Sequence, residues 1–191
     1  SERRMSAAHI IDLTKAETFP SRRVESWKYT NLHKLLRVAP EASPKVAING
    51  EGPFASLEGE TIAFANGYAQ GVSDFIASGK QTLRLRLVSD ANGTGHTASA
   101  KIVARPGAEL LLLESHEGAG SAYVAHNRLD IDVAPGAVVT RIVLVDDVED
   151  AIAVCNTDVK LQPRGRYYQT ILSTGAKLQR LETRRGQGAN E

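Results

Sequence analysis

The chain has 191 residues, 42% of them apolar and 24% charged, the balance of a soluble globular protein with enough length to bury a real core. Lys and Arg total 23 against 22 Asp and Glu, and the resulting net charge of +1 excludes the strong field that draws a protein onto nucleic acid or an anionic membrane. A lone cysteine, Cys155, excludes an internal disulfide framework and fits a reducing compartment.

Residues 1–38 read as an α-helical N-terminal region. The opening "SERRMSAAHIIDL" has no signal-peptide h-region, and no apolar run is long enough to span a bilayer, so a cytoplasmic protein is expected. "HIIDLTKAETF" carries Ile10, Ile11 and Leu13, and after Pro20 the positions Val24, Trp27, Leu32, Leu35 and Leu36 approximate one helical face. Arg22, Arg23 and Lys28 surround Trp27 and Tyr29, a grouping that could grip phosphate and stack on a base. The plainer reading, favoured by the charge balance, is that Trp27 anchors the helical segment while Arg22, Glu25 and Lys28 pair on its outer side. Residues 39–59, "PEASPKVAINGEGP" in their richest part, read as a linker.

From residue 60 to 191 the pattern is that of strands. Asn66-Gly67 between apolar runs is a strong hairpin signal. "TLRLRLV" alternates Leu83, Leu85 and Leu87 with Arg84 and Arg86, which predicts a half-buried strand with its basic groups outward. Beyond residue 100 the chain repeats. "RPGAELLLLESHEG", "APGAVVTRIVLVDD" and "QPRGRYYQTILSTG" each set a proline-containing corner before an apolar strand, with Gly107, Gly136 and Gly165 recurring every 29 residues. Asn127 and Asn156 fall in equivalent places on that period. Ile131 and Val133, however, lie 28 residues before Val159 and Leu161, which puts a spare residue at Arg164. Stacked units of this length with several short strands each predict a β-solenoid; the six-residue period of hexapeptide acyltransferases is not present.

Few residues propose chemistry. Asp146, Asp147, Glu149 and Asp150 offer oxygen ligands of the kind calcium takes, which keeps a β-helix polysaccharide-active enzyme as an alternative. With no glycine to shape a loop around an ion, they read more simply as a solvated turn between two strands. His116 and His126 have Glu114 and Cys155 as companions, and one period separates His126 from Cys155, so those two can be stacked neighbours. Imidazole and thiolate suit zinc or iron. Against this, no C-x-x-C or H-x-x-x-H spacing occurs, and an isolated cysteine on an apolar strand is usually a small buried hydrophobe. Nucleophile-elbow, P-loop and dinucleotide fingerprints are missing. The expectation is therefore a non-enzyme with no catalytic, cofactor-binding or metal-ligating residue assigned.

"RRVESWKYTNL" resembles the R-R-x-E-x-W-K-Y-T-D/N-L signature of the SufD family, scaffold subunits of the SUF iron–sulfur cluster assembly machinery. Arg22, Arg23, Glu25, Trp27, Lys28, Tyr29, Thr30 and Leu32 match it. "FANGYAQGVSD" and "RPGAELLLLESHEG" are similar to family strands. "LSTGAKLQRLETR" is similar to its L-x-x-G-A-K-x-x-R-x-E motif through Leu172, Gly175, Ala176, Lys177, Arg180 and Glu182. The resemblance implies a small helical N-terminal region followed by a right-handed parallel β-helix. The same resemblance implies that the C-terminal part of the family fold, with its SufC-docking helical domain and SufB-facing histidine, is absent from these 191 residues. It also implies partners: a SufB-like scaffold and a SufC-like ATPase, with a homodimer through the β-helix as a further association. A protein-held cluster typically takes about four thiolates, and this chain has one cysteine. Any iron–sulfur cluster is therefore expected at a shared site of the assembled complex and not on this chain alone.

Overall fold

A computed structural model describes residues 11–19, 36–174 and 178–187. The chain forms two compact units, Ser1–Glu41 and Ala42–Glu191. In the first unit most of the expected helical region, Trp27 and the basic–aromatic segment Arg22–Tyr29 included, lies outside the described residues. Where it is described, the backbone is not α-helical: it makes a turn and the 3-10 helix Ala16–Thr18. Local side-chain bonds account for this. Asp12 Oδ1 accepts from the Thr14 backbone N–H at 2.9 Å and from its hydroxyl at 2.6 Å, and Thr18 Oγ1 accepts from the Asp12 N–H at 2.9 Å. Such bonds satisfy the backbone in competition with a helical ladder. No helix among the described residues is long and apolar enough to cross a membrane.

The second unit is a parallel β-solenoid. Its strands are β1 (Glu60–Ala65), β2 (Tyr68–Ala69), β3 (Asp74–Ala77), β4 (Lys80–Asn92), β5 (Gly95–Ala104) and β6 (Glu109–Ser121). They continue as β7 (Val124–Val133), β8 (Val138–Asp146), β9 (Ile152–Leu161), β10 (Arg166–Thr174) and β11 (Leu178–Gln187). Apart from β1, which joins the even set, even-numbered and odd-numbered strands separate into two sheets, ordered β10-β8-β6-β4-β1-β2 and β11-β9-β7-β5-β3, so each coil contributes one strand to each sheet. All pairings are parallel except the β1–β2 hairpin at Asn66-Gly67, whose residues both take the left-handed backbone that its tight turn requires. Alternation sends Leu83, Leu85, Leu110, Leu112, Val139 and Tyr167 of one sheet inward against Ile102, Ile131, Val133 and Val159 of the other.

The corners explain both the repeat and its imperfection. Ala108 N–H donates to Arg105 O at 2.9 Å, Ala137 to Ala134 O at 3.0 Å and Gly165 to Gln162 O at 2.9 Å, each closing a four-residue turn with proline second. The third residue is left-handed in every case: Gly107 (φ 71°), Gly136 (φ 71°) and Arg164 (φ 63°). Gly165 is thus not the structural successor of Gly136; Arg164 is. The pairing of Val138 with Arg166 and of Val124 with Ile152 shows a coil one residue shorter than those joining Lys80 to Glu109 and Gly95 to Val124. The residue is lost in the acidic corner after β8. No spare residue is inserted at Arg164. A left-handed L-residue costs about 1–2 kcal/mol, and glycine gives back about 0.5–1 kcal/mol of chain entropy. Arg164→Gly should therefore stabilise the solenoid by about 1 kcal/mol in urea unfolding; a loss of stability would mean that the arginine side chain is needed at the corner.

Residues 42–59, within the stretch read as a linker, are bonded to the coils. Ala42 bridges Gly95, Asn66 Nδ2 donates to Pro44 O at 2.9 Å, and Ser43 Oγ lies 2.9 Å from His96 Nδ1. Arg84 and Arg86 do point outward, but this segment covers them. Arg84 donates to Ala55 O and Gly59 O, and Arg86 to Gly50 O at 3.0 Å and, with two nitrogens, to the Glu117 carboxylate at 2.7 and 2.9 Å.

Candidate functional site inside the solenoid

Along β6 the inward positions run Leu110, Leu112, Glu114, His116, so the apolar interior gives way to ionisable groups within one strand. The neighbouring coils answer in kind. β8 sends Arg141 inward between Val139 and Val143, β7 sends Asn127, β9 sends Cys155 and Thr157, and β10 sends Tyr167 and Gln169. Parallel stacking brings these side chains together, because residues held in register in adjacent coils share a face. Arg141 is 1% exposed and Glu114 0%, so the pair is wholly withdrawn from water.

The cluster is closely bonded. Arg141 Nε donates to Glu114 Oε1 at 3.1 Å and its Nη2 to Oε2 at 2.7 Å, the two-pronged geometry that suits guanidinium to carboxylate. His116 Nε2 lies 2.7 Å from the same Oε2, and Asn127 Nδ2 is 3.4 Å from His116 Nδ1. Tyr167 donates its hydroxyl to Gln169 Oε1 at 2.8 Å, and Thr183 from β11 donates to the same oxygen at 3.1 Å. Cys155 Sγ sits 4.0 Å from Arg141 Nη2 and 3.9 Å from Thr157 Oγ1. The potential ligand atoms of Glu114, His116 and Cys155 all lie within 4.8 Å of one another.

Electrostatics follow from burial opposed by charge. Desolvation alone would push Glu114 up, but the Arg141 guanidinium and the bond to His116 overcome it and hold the carboxyl at about 2. Desolvation alone would pull His116 down, and its neighbours Cys155 and Glu114 instead push it up to about 10. Arg141 is raised by Glu114 against its own desolvation. At neutral pH the interior therefore carries a carboxylate, an imidazolium and a guanidinium in contact.

Of the residues weighed from sequence, Glu114, His116 and Cys155 converge and His126 does not. Because this coil is one residue short, Cys155 pairs with Asn127 and His126 with Val154, which turns His126 to the opposite face of β7. There its Nε2 lies 2.9 Å from Asn156 Oδ1. The expected stacking of His126 on Cys155, and the equivalence of Asn127 with Asn156, are both corrected by this register. The acidic group does not gather around a common point. Asp147 is buried and accepts the Tyr123 hydroxyl, while Asp150 Oδ1 accepts the Ala122 N–H at 2.8 Å across the corner. Sequence reading missed Arg141, Tyr167, Gln169 and Tyr123. Arg141 had a readable sign: it stands at the parity of Val139, Val143 and Val145, where a charge must be buried with a partner.

Residues 87–189 match the family described as SUF system FeS cluster assembly, SufBD core domain, a span that takes in β5 to β11 and the whole buried cluster. No curated protein and no solved structure matches the chain.

Proposed function

The chain belongs to the SufBD core family of the SUF system and so has a part in iron–sulfur cluster assembly; from that premise we propose that it is a SufD-like, non-enzymatic scaffold subunit. It pairs with a SufB-like scaffold and supports a SufC-like ATPase in the cytoplasm. The carrying observation is the family match laid over the stacked coils. The SufD side is favoured by the run Arg22, Arg23, Glu25, Trp27, Lys28, Tyr29 and Thr30, whose order resembles that subfamily's signature. The single cysteine supports a site shared with partners, since a cluster held by one protein takes about four thiolates.

Affinity purification of the tagged chain from its own cell is the test. A stable complex with the SufB-like and SufC-like proteins is expected. Recovery of neither partner at low salt, where polar interfaces are strongest, would remove the scaffold reading while leaving family membership intact.

A further inference from the structure

We propose that Glu114, His116 and Cys155 form an internal binding site for one thiophilic divalent cation of the zinc or ferrous-iron class. Carboxylate oxygen, imidazole nitrogen and thiolate sulfur are the donors such ions take, at about 2.0–2.3 Å, so neighbouring ligands in a tetrahedral shell lie roughly 3.3–3.7 Å apart. Here the three donor atoms already lie within 4.8 Å of one another, so shifts on the order of 1 Å close the shell. The donors come from two strands, β6 and β9, that belong to opposite sheets. A bound ion would staple the coils together across the interior.

The surroundings orient one of the donors: Arg141 bonds both oxygens of Glu114 and fixes the direction of the carboxylate. With three protein ligands, the fourth position of the tetrahedral shell is left to water. Since the side chains of Glu114 and His116 are 0% and 4% exposed, the ion enters as the coils close and leaves slowly.

The site rests on geometry alone and stands whether or not the scaffold partners are recovered. The test uses the full chain expressed in medium with Co²⁺ in place of Zn²⁺, followed by metal analysis, electronic absorption and X-ray absorption at the cobalt edge. About one cation per chain is expected, with a thiolate-to-cobalt charge-transfer band and one sulfur in the coordination shell. Cys155→Ser should abolish that band and lower retained metal by about tenfold or more. A chain that retains no cobalt, or retains it with oxygen and nitrogen ligands only, overturns the site. The wild-type spectra decide the matter even if the variant fails to fold.

Discussion

Glu114→Ala destabilises the solenoid by about 3–5 kcal/mol in urea unfolding, because it strands Arg141 in an interior that water does not reach. Glu114 is 0% exposed, and it is the carboxylate bonded to both Arg141 and His116. His116 can respond by losing its proton. Arg141 cannot, and it must either remain charged without its partner or drag solvent into the core. The companion experiment is the double variant Glu114→Leu/Arg141→Met, which removes the charges together and keeps similar volume. It should recover most of the loss or exceed wild-type stability, as expected where an apolar pair replaces a buried ion pair. If the double variant is as unstable as Glu114→Ala, the cluster contributes through bonds to Tyr167, Gln169 and Cys155 more than through pairing. A loss below about 1 kcal/mol for Glu114→Ala would show that the pair is effectively solvated.

Tyr123→Ala is expected to cost about 3–5 kcal/mol, the range for removing a large buried ring. Tyr123 is 0% exposed and packs among Ala91, Ala125, Ala151 and Val148, small residues that leave the ring as the main filler of this corner. Its hydroxyl donates to Asp147 and accepts from the Val148 N–H at 3.3 Å, which ties the ring to the turn that shortens the coil. Tyr123→Phe keeps the ring and removes only those bonds. It should cost about 1–3 kcal/mol, the penalty for leaving a buried acceptor without its donor. Thermal unfolding of both variants separates packing from hydrogen bonding. Equal losses would mean that the bond to Asp147 dominates, and no loss in either would mean that the 146–150 corner is held by Asp150 and the backbone alone.

Much of the architecture was legible because it is encoded locally. Asn66-Gly67 specifies a hairpin through two left-handed residues, and the proline-led corners at 105–108 and 134–137 specify where each coil turns. Alternation in "TLRLRLV" correctly separated Leu83, Leu85 and Leu87 from Arg84 and Arg86. Periodicity misled in two places. The 29-residue intervals between Gly107, Gly136 and Gly165 placed a spare residue at Arg164, yet Arg164 is itself the third left-handed corner and the coil is a residue short after β8. In residues 11–19 apolar spacing suggested an α-helix, and the Asp12 and Thr18 side chains made the competing local bonds.

By itself the sequence determined the stack of coils, the inward apolar stripe and the outward arginines, since turns and alternation act over a few residues. What only the tertiary structure decided is which inward residues meet. His126 and Cys155 are one nominal period apart, but side-chain direction has period two, so a one-residue shortening at the 146–151 corner exchanges His126 for Asn127 beside Cys155. The same register, acting between opposite sheets, brings Cys155 to Glu114, His116 and Arg141, residues far apart along the chain and joined only when the coils close over them.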